Sequence, residues 1–419
     1  MANYTEKPKK KKTASRDIAL DKLDFYNVPA PKNPKKQDKI KGRPKNIFAR
    51  FCESAFPQSG DSSTEKIRKI VLLAAIVVFA VTIAILLFQL ISIDDGDRIT
   101  SSTQSLAGAH MGTLDMDDFD DPTVVTPIPG TTTGSSGSEN NSVPVEEETE
   151  EINVTPVVNT PLNINFDALK AENPDTVAWI KITSTYLNEV VVKGEDNDKY
   201  LHTGFNGSES VSGTIYAHHK NRMDGTDHNI ILFGHNMLNG SRFASVKYYL
   251  PNDTSREPIA FYKVHPTIML ATPNGGSETY KIFAGVLANT QSQYGEVFKY
   301  TNKTKFKSPD DFYNFILEVM DRSWFYTDVD LRYGDQLLTL STCIWPLGEE
   351  IETRWVVFAR KVRPGESEYV DTSVATRNYN AKLFDYYYNM IGGKWYGRNW
   401  DTSKLIGYKK EDDDDIVLS

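Results

Sequence analysis

The 419-residue chain contains two cysteines, Cys52 and Cys343, and the second stands where a nucleophile could work. Gln336 to Thr342 alternates Leu338 and Leu340 with Thr339 and Ser341, which reads as a β-strand, and Pro346-Leu347-Gly348 closes the run. Cys343 therefore falls where a packed strand gives way to a loop: the strand fixes its backbone and the loop leaves room for a substrate. A buried structural thiol is the competing reading, since free cysteine is among the most buried residue types. A thiol acting as nucleophile needs a proton acceptor or a positive charge beside it. His235 follows the apolar run Ile230 to Phe233 and Gly234, so it too stands at a strand end; His218 and His219, after Tyr216-Ala217, are the rival bases. His202, His228 and His265 sit in polar, loop-like contexts. Arg354 leads into a strand, Arg354 to Val362, that a loop of about ten residues would return alongside the Cys343 strand. There its guanidinium could donate to a carbonyl oxygen gaining negative charge, or it could pair on the surface with Glu350 or Glu352.

A metal is the other chemistry to weigh. His218, His219, His228 and His235 lie close in sequence with Asp224 and Asp227. No His-Glu-x-x-His pattern and no paired-cysteine spacing accompanies them, so neither metal nor cofactor is expected.

The elements that must position these residues are mostly short strands. Further runs at Ala178–Ile182, Glu189–Val192, Gly213–Ala217, Asn229–Phe233, Thr267–Ala271 and Tyr280–Leu287 predict a mainly β fold, a barrel or sandwich with added helices. Asn165 to Glu172 suits a short helix, broken by Asn173-Pro174. A second helix follows Ser308 as cap and Pro309 at its first position, with Phe312, Phe315, Ile316 and Val319 at helical spacing. The folded domain is expected at 161–366. Beyond it, 367–419 is an extension of unassigned role, with a helix expected from Thr376 to Met390 and an acidic run at Asp412–Asp415.

Upstream the charge is sharply divided. Residues 1–69 carry about 18 Lys+Arg against 8 Asp+Glu, and 94–157 carry about 14 acids with Arg98 as the single base. Between them Ile70 to Ile93 has no charged residue, long enough to span a bilayer, and too deep and too long for an ordinary cleaved signal peptide. A single transmembrane helix at 70–93 is expected. The basic flank at Lys66, Arg68 and Lys69 places the N-terminus in the cytoplasm and all that follows outside. The tail at 1–69 reads as disordered and attracted to the anionic inner leaflet rather than to nucleic acid. Residues 94–160 read as an acidic, extended tether. Cys52 and Cys343 then lie on opposite sides of the membrane, and Cys343 is a lone exported thiol.

Taken together, Gly234-His235-Asn236, Leu340-Ser341-Thr342-Cys343 and Arg354, with an N-terminal anchor, resemble the sortases, membrane-anchored cysteine transpeptidases of Gram-positive bacteria. The resemblance is to class B and extends over about residues 163–363. It includes Asn173-Pro174-Asp175-Thr176-Val177-Ala178-Trp179, Asp196-Asn197-Asp198-Lys199-Tyr200-Leu201, and Met237 with Phe243 after His235. At two positions the chain departs from the class B pattern: Trp345 two places after the cysteine, and His218 after Gly213–Ala217. The resemblance implies an eight-stranded sortase barrel with Cys343 as nucleophile, His235 as general acid/base and Arg354 as oxyanion donor or substrate clamp. It also implies Thr342, Ser341 and Asn236 at the substrate. The implied reaction is attack on a Thr carbonyl in the C-terminal sorting signal of a secreted surface protein. An amine of a peptidoglycan precursor, or of a pilin, would then resolve the thioacyl-enzyme. Pilus assembly and an inactive, tethered binding module are the alternatives to wall anchoring; the intact cysteine, histidine and arginine argue against the last.

Overall fold

A computed structural model describes residues 55–108, 157–348 and 350–409; within the first helix only the backbone of 88–93 and 95 is described. Cys52, most of the basic tail, most of the acidic segment and the Asp412–Asp415 run lie outside these residues.

The first helix, α1, runs Ser63–Ala107. Its Ser63–Leu87 portion is long and apolar enough to cross a membrane by length and composition. The helix starts ahead of the expected Ile70, with the Ser62 hydroxyl accepting from the Glu65 amide at 3.3 Å. It also continues past Ile93, so the segment expected as a tether from residue 94 begins as helix. Thr103 and Ala107 are buried there, and Gly108, at φ 69°, ends the helix in the left-handed region. Residues 109–156 lie outside the described residues.

After a short helix, α2 (Phe166–Glu172), capped by Asn165, come strands β1 (Thr176–Lys181), β2 (Asn188–Val192), β3 (Tyr216–Ala217) and β4 (Asn229–Phe233). A one-turn helix α3 (Ala260–Val264) leads into β5 (Thr267–Thr272) and β6 (Gly276–Asn289). Helix α4 (Pro309–Arg322) precedes the two-residue strands β7 (Phe325–Tyr326) and β8 (Leu331–Arg332), then β9 (Leu337–Ile344) and β10 (Thr353–Lys361). The eight strands β1-β2-β3-β4-β9-β10-β6-β5 close into a barrel, as the resemblance implies. The β2/β3 and β4/β9 pairs are parallel and the other neighbours antiparallel.

Strand alternation fixes what each residue faces. Ile180, Val191, Leu232, Leu270, Ile282, Leu338, Leu340, Trp355 and Val357 fill the barrel interior. Leu337, Val356 and Phe358 point outward and are covered by Phe312, Phe315, Ile316 and Val319 of α4. Each such side chain contributes about 1.5–3 kcal/mol on burial. The α4 cap is as predicted: the Ser308 hydroxyl accepts from the Asp311 amide at 3.1 Å.

Three expectations are corrected. Gly213–Ile215 is not strand; Gly213 has φ 55°, and a Cβ there would stand 2.5 Å from the Tyr200 and Leu201 carbonyls. Thr376–Met390 is not one helix. Strand β11 (Thr376–Arg377) pairs with β7, and only Asp385–Ile391 is helical, as α5. The Asn378 side chain reaches the Ser323 carbonyl at 2.6 Å, holding this stretch extended against the barrel. The cysteine strand extends to Ile344, because β10 pairs with it through Thr353 and Arg354.

Candidate active site

The sites of His235, Cys343 and Arg354 follow from the order and direction of three neighbouring strands. β4 and β9 run parallel, and β10 returns antiparallel to β9. The C-terminal ends of β4 and β9 and the N-terminal end of β10 therefore meet at one end of the barrel. Arg354 is the direct partner of Cys343 in the β9/β10 register, and Phe233 the partner of Ser341 in β4/β9. Parity does the rest: Leu338, Leu340 and Ile344 point inward, so Ser341, Cys343 and Arg354 lie on the outer face, where Phe233 and Tyr216 also lie.

His235 is two residues beyond Phe233. The chain there is tied to β9 by the Gly234 amide donating to the Ser341 carbonyl (3.3 Å) and the Thr342 hydroxyl donating to the Gly234 carbonyl (2.8 Å). The Asn236 side-chain amide donates to the Cys343 carbonyl at 3.2 Å. The structure thus brings His235 and Arg354 to either side of the cysteine. Ser341 and Thr342 are 2% and 1% exposed, and their hydroxyls are engaged within the site, Ser341 with the Tyr300 hydroxyl at 2.7 Å. These two side chains, and that of Asn236, hold the strand ends in place.

The His235 Nε2 lies 2.9 Å from the Leu201 carbonyl. A carbonyl only accepts, so Nε2 carries the proton and Nδ1 is the basic nitrogen. Burial lowers the affinity of His235 for a second proton, partly offset by the Leu201 bond, while His202, Arg242 and Arg354 add to the lowering. His202 stacks on it with centroids 5.9 Å apart. Burial pushes the Cys343 thiol above its ordinary value; Arg354 opposes that and Glu352 adds to it. Arg354 pairs with Glu352 and donates to the Thr353 carbonyl at 3.3 Å. At rest the site holds a neutral thiol, a neutral imidazole and a guanidinium paired with a carboxylate, so the ion pair of the sequence reading is present beside the thiol.

His218 packs against His219 and Phe233. It is 5% exposed, burial lowers its pKa to about 4, and its Nδ1 accepts from the Lys220 amide at 3.1 Å. Among the described residues no group of His, Cys, Asp and Glu is arranged to hold a metal. Sequence reasoning missed Leu201, Tyr300 and Tyr216. Each comes to the site from a separate segment, and the phenols of Tyr216 and Tyr300 are raised by burial, Tyr216 to about 12.

A thiol with an arginine opposite it in the ladder and a histidine at the end of the neighbouring strand, on the outer wall of a closed eight-stranded barrel, is an arrangement that cysteine acyl transfer could use. Residues 180–362 match the sortase domain family, which identifies this part of the chain as a sortase domain. Its relatives include the sortase B proteins of Listeria monocytogenes (29% identical over 175 residues) and Staphylococcus aureus (29% over 178). Each match spans 42% of this chain, with 65% and 67% of the relatives' own length, so the chain covers about two thirds of each. The solved Clostridium perfringens sortase B is 33% identical, covering 47% of this chain and 100% of that one, with a TM-score of 0.41.

Proposed function

We propose that the protein is a membrane-anchored cysteine transpeptidase that attaches secreted surface proteins to the cell wall, with Cys343, His235 and Arg354 as its catalytic residues. The observation that carries this reading is the outward-facing row on β4, β9 and β10, with Arg354 opposite Cys343 and the His235 segment bonded to β9. Such an arrangement lets a peptide lie along the outside of the barrel with its carbonyl over the thiol.

The Cys343 sulfur attacks the Thr carbonyl carbon of a C-terminal sorting signal as its proton passes to His235. Arg354 donates N–H to the oxygen that gains charge. The peptide C–N bond then breaks, His235 returns the proton to the leaving amine, and a thioester remains on Cys343. A second amine, from a peptidoglycan precursor, attacks the thioester. Its proton goes through His235 to the sulfur, the C–S bond breaks, and a new amide leaves. The basic flank of α1 supports a cytoplasmic N-terminus and a catalytic domain outside the cell.

Hydroxylamine tests this reading, because it captures a thioacyl-enzyme as a hydroxamate. The full chain in detergent, given Thr-containing sorting peptides and hydroxylamine, should release peptide hydroxamate at a Thr and do so only with Cys343 intact. Peptide cleavage at another residue, or cleavage undiminished in Cys343→Ala, would refute it.

A further inference from the structure

The chain segment carrying His235 is fastened to a helix that sequence reading assigns to the tether. From His235 the chain loops out and returns: Asn236 bridges Arg242 in antiparallel fashion, and the Phe243 amide donates to the His235 carbonyl at 2.9 Å. Arg242 closes this loop. It is 3% exposed and has φ 58°, a left-handed backbone that a non-glycine residue adopts only under constraint. The constraint is visible. Its amide donates to Glu189 Oε1 at 2.6 Å, its guanidinium pairs with the Glu189 carboxylate, and its Nε donates to the Gly213 carbonyl at 3.0 Å.

The guanidinium also donates to the Ser212 carbonyl and hydroxyl at 3.2 and 3.3 Å, and a further partner belongs to α1. Arg242 Nη1 donates to Thr100 Oγ1 at 2.8 Å, and one turn earlier Asp97 Oδ1 accepts from the Asn239 side chain of the same loop at 2.6 Å. The helix comes close enough that a Cβ on Gly96 would stand 2.7 Å from the Ser212 hydroxyl. Ile99 packs in the cluster that holds Leu201, whose carbonyl receives the His235 Nε2 proton. Further along, Gln104 donates to the Asn188 carbonyl at 2.9 Å. Both supports of the imidazole, the Leu201 strap and the Arg242 loop, thus rest on one helical face.

We propose that residues 96–107 of α1 are a working part of the active site. Arg242 is a positioning residue that transmits the docking of this helix to His235, so turnover depends on the anchor helix being seated. The inference rests on the transpeptidase reading above for its kinetic arm only. The second arm, the state of His235 itself, is read without turnover.

The test is made on the full chain in detergent micelles, with wild type, Thr100→Val, Asp97→Ala, their double variant and Thr100→Ser as the conservative control. Histidine-labelled protein gives the His235 titration, assigned by the signal lost in His235→Gln; the charged or titratable groups acting on this imidazole are His202, Arg242 and Arg354. In the double variant the His235 midpoint should rise toward that of a free imidazole, and kcat for a sorting peptide should fall about tenfold with KM little changed. Thr100→Ser keeps the hydroxyl and should leave both as in wild type. Should the double variant fail to fold, Thr100→Val alone is judged by the same two readouts. An unchanged His235 titration in a folded variant overturns the proposal, even if kcat falls. If wild type turns over no peptide while the His235 titration still shifts in the double variant, the helix coupling stands and the transpeptidase reading falls instead.

Discussion

Arg354 stands directly opposite Cys343 in the β9/β10 ladder, and the two share the outer face of the barrel. A ladder partner cannot be displaced without unpairing the strands, so the Arg354 backbone is held beside that of Cys343 by the ladder and not by loop geometry. What remains adjustable is its side chain, which at rest pairs with Glu352.

Arg354→Ala removes the donor proposed for the oxyanion. Peptide turnover should fall on the order of 10²-fold, about 3 kcal/mol of transition-state stabilisation. Arg354→Lys keeps the charge but loses the planar fork, so it should also be impaired. Cys343 should still be alkylated by a small reagent in both. Turnover near wild type in Arg354→Ala would return this arginine to a surface pairing role with Glu352.

The thiol's pH dependence follows from its surroundings. Burial raises the Cys343 pKa and Glu352 adds to the rise. Alkylation should therefore reach its half-maximal rate at a pH above that of an ordinary cysteine. Glu352→Gln removes the negative charge and frees the guanidinium, so its midpoint should move down and alkylation at neutral pH should speed up. Iodoacetamide rates across pH give both midpoints. An unshifted midpoint in Glu352→Gln would mean the carboxylate does not act on the sulfur.

The two rival histidines separate cleanly. His235→Ala should abolish transfer of a sorting peptide. His218→Ala should weaken it modestly at most, because burial holds the His218 pKa at about 4, a weak proton acceptor, and its Nδ1 is already occupied by the Lys220 amide. Rates for the two variants side by side decide this; the reverse ranking would mean the base has been misassigned.

The C-terminal extension has a stability role that can be measured. Asp321 at the end of α4 is 4% exposed. Its carboxylate accepts from Trp400 Nε1 at 2.8 Å and from Arg398 at 2.9 and 3.0 Å. Trp400→Phe with Arg398→Ala leaves that carboxylate buried without these donors and should cost about 2–3 kcal/mol. Urea unfolding gives the value. A loss within experimental error would show that the extension does not stabilise the barrel.

How much of this was legible in the sequence depends on how local each signal is. The strand Asn229–Phe233 and the Ser308-capped helix came out as read, because alternation, capping and helical spacing are written within a few residues. Cys343, His235 and Arg354 could be singled out as candidates because each stands near a strand end. The supports of His235 were not. Leu201 and Arg242 reach it from 34 residues upstream and across a loop return, and neither has a type or spacing that marks it. The helical face at Ile99, Thr103 and Ala107 was hidden for another reason. Its i, i+4 spacing is regular, but the surrounding acids read as a solvated tether. At Thr376–Met390, helical propensity yielded to pairing with β7, a tertiary preference that no local pattern carries.

The central claim is that Cys343 forms a thioester with the acyl part of a sorting signal. Intact-protein mass spectrometry measures it most directly, on the full chain mixed with a Thr-containing sorting peptide and quenched in acid within one turnover. The account predicts a mass increase equal to the peptide up to its Thr, mapped to Cys343, lost on hydroxylamine treatment and absent in Cys343→Ala. Peptide cleavage with no adduct on Cys343, or an adduct that persists in Cys343→Ala, would contradict it.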